Sequence, residues 1–125
     1  MAIETQTILI VEDEAPLRKV LAATLQQSGF TVLEAGNGKE GLETALKQHP
    51  ALILSDNLMP LMNGVDMMAE VRKDSWGKTV PAIIMTNMYS VDAVNQSLEA
   101  GVTDYIMKTD VSIDKIVELV KSKLA

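Results

Sequence analysis

The chain has 125 residues, 47% apolar and 22% charged, a composition suited to one soluble domain that can bury a core without staples. It contains no cysteine, which excludes disulfides, thiolate metal sites and cysteine nucleophiles. A net charge of −6 argues against direct nucleic-acid binding, which needs clustered Lys and Arg, and no apolar run approaches the roughly 20 residues of a bilayer span. The opening MAIETQT lacks the basic and apolar regions of a signal peptide, so a cytoplasmic protein without membrane insertion is expected.

Short β-like runs alternate with helical periods along the whole chain. Residues 7–12 read as a first strand, and a helix follows with Pro16 in its first turn and Leu17, Val20, Leu21 and Leu25 on one face. Gly29 ends that helix. Residues 31–35 read as a second strand. Asn37, with Glu40 three positions on, then caps a second helix that should bury Leu42, Ala45 and Leu46. The third strand spans 51–55, and Asn63-Gly64 marks a turn before a helix containing Met67, Met68 and Val71.

A fourth strand is expected near 81–86. Ser90 caps the next helix, with Val94 and Leu98 inward and Gly101 at its close. The fifth strand is 104–107, and the last helix carries Ile113, Ile116, Val117, Val120 and Leu124 as an apolar stripe. Five strands alternating with five helices define an α/β fold, a doubly wound parallel sheet covered on both faces and joined by right-handed crossovers.

Four of these strands run into polar residues. ILIV meets Glu12 and Asp13, LILS meets Asp56, AIIM meets Thr86, and YIM meets Lys108. A parallel sheet sets the carboxyl ends of its strands along one edge, where open α/β folds bind ligands. Three clustered carboxylates repel one another unless a cation sits among them, and Mg²⁺ favours such oxygen donors. A carboxylate so placed can attack phosphorus, while an ammonium and a hydroxyl meet the transferred oxygens. Taken singly, each of these residues reads as solvated surface or a cap. Their convergence at four strand ends is the specific signal.

With these residues the chain resembles a response-regulator receiver domain of the CheY type from residue 7 to about 124, and 1–125 then reads as a single receiver domain. VEDE after the first strand, SDNLMPLMNG around Asp56, MT at Thr86 and DYIMK at Lys108 carry the resemblance. It implies the flavodoxin-like strand order 2-1-3-4-5, Asp56 as phospho-acceptor, and Mg²⁺ (or Mn²⁺) as cofactor. Asp13 and Asp56 would ligate the metal directly, Glu12 through a water, and Leu58 through its backbone carbonyl. Lys108 and Thr86 would contact the phosphoryl group. Tyr105 would act with Thr86 as the switch, moving inward from an exposed rotamer. The implied partners are a histidine kinase or phosphotransfer domain, and a downstream protein on the face of helix four, strand five and helix five. The chain would be a monomer or a phosphorylation-dependent dimer, catalysing only its own modification.

This sequence departs from the family pattern in three places. Thr109 follows Lys108 where the family has proline after a cis bond, which leaves a trans or a strained cis peptide open. Asn87 stands where a small residue is usual, so its amide either crowds the phosphoryl site or donates to it. Leu58 and Met88 flank the site where polar residues are common, and they imply slow self-dephosphorylation because neither can orient water. The methionines, seven of eight between 59 and 107, read mainly as core, His49 as a helix-end residue, and Trp76 as either a contact point or a packed edge residue.

Competing readings are weaker. An aspartyl-nucleophile phosphatase of the haloacid dehalogenase class would carry a second Asp at the position of Leu58. A flavodoxin-like FMN carrier needs a Ser, Thr and Gly loop where Glu12, Asp13 and Glu14 stand. A degenerate receiver that signals without phosphate is kept open by Asn87 and Thr109. A stand-alone receiver is the simplest reading.

Overall fold

Ile8, Leu9, Ile10 and Val11 are all fully buried, although successive strand residues point to opposite faces. That requires a sheet covered on both sides. In the computed structural model, which describes residues 5–87, 90–102 and 104–125, the strands are β1 (Thr7–Val11), β2 (Thr31–Ala35), β3 (Leu52–Asp56), β4 (Ala82–Thr86) and β5 (Asp104–Met107). They pair in parallel in the order β2-β1-β3-β4-β5. The helices are α1 (Ala15–Gln27), α2 (Gly38–Gln48), α3 (Gly64–Val71), α4 (Val91–Glu99) and α5 (Ile113–Leu124). A single 3₁₀ turn, Trp76–Lys78, precedes β4.

Strand alternation divides the core in two. Leu9, Val11, Ile53 and Ile84 pack with Met67, Met68 and Val71 on one side of the sheet. Ile8, Ile10, Leu52, Leu54, Ile83 and Met85 pack with Leu21, Leu25, Ile116, Val117 and Val120 on the other. The core role of the methionines holds for Met67, Met68 and Met85, all fully buried. The expected caps form, since Asn37 accepts from the Glu40 amide and Ser90 from the Ala93 amide. Gly29 and Gly101 close α1 and α4 with φ of 99° and 71°.

Three helix faces differ from expectation. Val20 is 51% exposed, because the buried arc of α1 runs through Arg18 and Ala22 instead. Leu46 lies at the rim of α2, which seats on Gly38, Gly41 and Ala45. Leu98 is 61% exposed and Val94 half-buried, since α4 turns small residues inward. Ser97 is buried there, with its hydroxyl satisfied by the Ala93 carbonyl at 2.8 Å. Trp76 is partly buried against the core on one side of the sheet and stacks on the His49 ring, with centroids 4.5 Å apart. His49 itself ends α2 in a left-handed conformation.

Candidate functional site

Each strand delivers one part of the site, and the strand order decides which parts meet. β1 and β3 are neighbours, so the residues that follow Val11 and Ser55 emerge side by side. Glu12, Asp13 and Asp56 each offer a carboxylate oxygen, and these oxygens lie within 4.8 Å of one another. Glu12 is fully buried, Asp56 nearly so, and Asp13 exposed. β4 adds Thr86, which is buried, and β5 adds Lys108, whose amide donates to the Thr86 carbonyl at 2.7 Å.

Lys108 is the cation of this cluster. Its Nζ lies 2.6 Å from Glu12 Oε1 and 3.1 Å from Asp56 Oδ2. Burial pushes the Glu12 carboxyl from 4.5 up to about 7, against the lowering pull of the Lys108 hydrogen bond. Burial raises Asp56 as well, outweighing the attraction of Lys108. Burial alone would lower Lys108, but its bond to Glu12 and the charge of Asp56 prevail and raise it. Three carboxylates facing one ammonium leave an excess of negative charge. A divalent cation suits that donor set, because hard oxygen ligands and partial hydration are what Mg²⁺ favours.

Backbone contacts hold the nucleophile candidate in place. Asp56 Oδ1 accepts from the Asn57 amide at 2.8 Å, and the Asn57 side chain accepts from the Val65 amide, tying β3 to the start of α3. The site also uses a residue that sequence reasoning passed over. Arg18 donates to the Glu12 carbonyl at 2.7 Å and to the Glu34 carboxylate at 3.2 Å, bracing the loop that presents Glu12 and Asp13. No motif marks it. Its signal would have been a cation inside the buried arc of α1, which the faulty placement of Val20 concealed.

The remaining expected residues fall around this centre. Leu58 is 54% exposed and lines a cleft of about 250 Å³ with Asn57, Thr86, Tyr105 and the first turns of α4. The Tyr105 hydroxyl is buried and has no hydrogen-bond partner among the described residues, so the exposed rotamer expected for it is not the one seen. Asn87 is exposed, and among the described residues no hydrogen bond joins it to Asp56. Met88 lies outside the described residues. The Lys108–Thr109 peptide is trans.

Comparison with known proteins agrees with this arrangement. The family model for the response regulator receiver domain matches residues 8–121. The phosphate regulon transcriptional regulatory protein PhoB of Pseudomonas aeruginosa is 36% identical over 82% of the chain, which covers 45% of that relative. The DNA-binding response regulator MtrA of Mycolicibacterium paratuberculosis is 37% identical over 82% of the chain and 44% of that protein. The chain thus spans less than half the length of these curated relatives. Among solved structures, a CheY-like receiver domain protein from Methanospirillum hungatei superposes with a TM-score of 0.90 at 29% identity, covering 97% of this chain and 94% of that one. Chemotaxis response regulator CheY4 of Vibrio cholerae gives 0.87 at 27% identity, with 95% and 98% covered. Motif, strand order and matched length agree, and the chain belongs to the response regulator receiver domain family.

Proposed function

We propose that this receiver is a phosphorylation-dependent switch in two-component signalling, with Asp56 as the residue that takes the phosphoryl group. The observation that carries the reading is Lys108 held between Glu12 and Asp56, with Asp13 beside them. An Asp56 oxygen attacks the phosphorus of a phosphohistidine on a histidine kinase or phosphotransfer domain. The O–P bond forms, the P–N bond breaks, and the departing imidazole nitrogen takes a proton from solvent. Lys108 exchanges its carboxylate contact for a phosphoryl oxygen, and the Thr86 hydroxyl turns to another. The fitting metal is Mg²⁺, or Mn²⁺ in its place; Asp13, Asp56 and the Leu58 carbonyl would hold it, and Glu12 would act through water. When bound, it neutralises the oxygens of the group in transfer.

Thr86 and Tyr105 then carry the change to the face of α4, β5 and α5, whose altered population a partner reads. Thr86 lies at the end of β4 and Tyr105 in β5, within reach of one cleft against α4. The chain catalyses only its own modification in this scheme. Incubation with acetyl phosphate and Mg²⁺, followed by intact mass, tests it. A single added phosphoryl group that Asp56→Asn abolishes is the expected outcome, and an unmodified wild type would refute the reading.

A further inference from the structure

The amides that open a helix have no partner within its own hydrogen-bond ladder. In α3 the Asp66 amide is met in the usual way, by the side chain of the N-cap residue Asn63 at 2.7 Å. The two amides before it are met from the far side of the β3–α3 loop, both by Asn57. Its carbonyl accepts from the Gly64 amide at 2.8 Å, and its side-chain Oδ1 from the Val65 amide at 3.1 Å.

Asn57 also grips the residue before it. Its own amide donates to Asp56 Oδ1 at 2.8 Å and lies 3.0 Å from the Met85 carbonyl. The Asp56 carbonyl accepts from the Ser55 hydroxyl at 2.7 Å, and a Cβ at position 64 would collide with that same carbonyl. The start of α3 is thus seated directly on the main chain of Asp56. Asn57 is only 7% exposed, and a buried carboxamide is costly unless it is bonded. Packing alone would be served by an apolar side chain, and α3 already has its cap in Asn63. What the carboxamide adds is a fixed link between α3 and the peptide that follows Asp56.

We propose that the Asn57 side chain is a positioning residue for the Asp56 site. Held by the Val65 amide, the carboxamide fixes the main chain at 57, and the Asn57 amide in turn holds Asp56 Oδ1. Lys108 holds Oδ2 at 3.1 Å, so each oxygen of the carboxylate has its own partner. The inference rests on the phospho-acceptor reading above and adds to it what orients the carboxylate and the neighbouring Leu58 carbonyl toward a divalent cation. Asn57 itself touches neither the cation nor the phosphoryl group in this role. Groups that orient metal ligands from behind typically carry about 10–100-fold in affinity.

Asn57→Leu removes the acceptor and fills the same buried space, and Asn57→Ala removes it without the added bulk. In both, Mg²⁺ binding measured by titration calorimetry should weaken about tenfold. Exchange of the Val65 amide, followed by NMR in the metal-free protein, should quicken about tenfold. Asn57→Asp keeps an acceptor in the same place, so it should protect Val65 as wild type does and bind Mg²⁺ at least as tightly. Asn63→Ala is the control for helix capping alone. It should lower the melting temperature and leave Mg²⁺ affinity within about twofold of wild type. Unchanged Mg²⁺ affinity or Val65 exchange without the acceptor, weaker binding in Asn57→Asp, or equal weakening in Asn63→Ala would each overturn the proposal. So would a wild type that binds no Mg²⁺. A wild type that binds Mg²⁺ but takes no phosphoryl group from acetyl phosphate would refute the phospho-acceptor reading alone.

Discussion

Glu12 should make the metal-free protein lose stability as pH rises through neutrality. Its carboxyl is fully buried and pushed from 4.5 up to about 7 by burial, although it bonds Lys108 at 2.6 Å and the Glu14 amide at 3.1 Å. An acid whose folded value is raised holds its proton more tightly in the folded than in the unfolded chain. Its contribution is therefore complete below about 4.5 and is lost as pH climbs through about 7. An interval of that size corresponds to about 3 kcal/mol, an upper figure because Asp56 and Lys108 titrate with it. The perturbation is Glu12→Gln, which keeps the shape and removes the proton. Urea unfolding of both proteins without metal, from pH 5 to pH 8, should show wild type falling relative to Glu12→Gln by about 2–3 kcal/mol. Adding Mg²⁺ should restore wild type most at pH 8, where the carboxylates are free to bind it, and least at pH 5. Parallel pH profiles for the two proteins would refute the argument that burial governs this carboxylate.

Two further outcomes follow from contacts elsewhere. Arg72 donates to four carbonyls, those of Gly77 and Val80 at 2.7 Å, Ala100 at 2.8 Å and Gly101 at 3.1 Å. Arg72→Met should cost about 3 kcal/mol and lower the melting temperature by about 10 °C by calorimetry. A loss under about 1 kcal/mol would mean that water replaces those bonds freely. Leu58→Asn combined with Met88→Glu should speed loss of the phosphoryl group severalfold, measured as decay of phosphorylated mass, by giving attacking water polar partners. An unchanged lifetime would remove these residues as its determinants.

The strand ends were legible because their signal needs no side-chain geometry. A parallel sheet brings the ends of β1, β3, β4 and β5 to one edge whatever packs against it. Caps were legible for a similar reason, since Asn37 and Ser90 act on amides within three residues of themselves. Helix phase was legible in α3 and α5, whose expected faces pack on the core, but only in part in α1 and α4. Whether Val20 or Ala22 faces the sheet depends on what Arg18 reaches across to, and Glu34 and the Glu12 carbonyl lie outside any local window. The inward face of α4 was misread because apolar periodicity favoured Leu98, while close packing selected Ala93, Ser97 and Ala100. Leu61 was invisible for the opposite reason. Its φ of 70° belongs to a loop whose backbone closes against Gly38 and Gly64, long-range packing that composition does not register.

Thr109 stands where the resemblance implies a proline, which raised the question of what aims Lys108. The peptide between them is trans, and the amine still reaches both carboxylates. The aim comes from the strand side of the lysine. Its amide is held by the Thr86 carbonyl at 2.7 Å, which extends the β4–β5 pairing one residue beyond the strand. The side chain then crosses to β1 and β3, where Glu12 and Asp56 draw the ammonium into a buried position. Residues after it turn away, with the Asp110 amide returning to the Met107 carbonyl and Ser112 capping α5. Thr109 is exposed on that turn and makes no demand on the site. One main-chain bond therefore ties Lys108 to Thr86, the two residues proposed to read the phosphoryl group, on the strand side of the trans Lys108–Thr109 peptide.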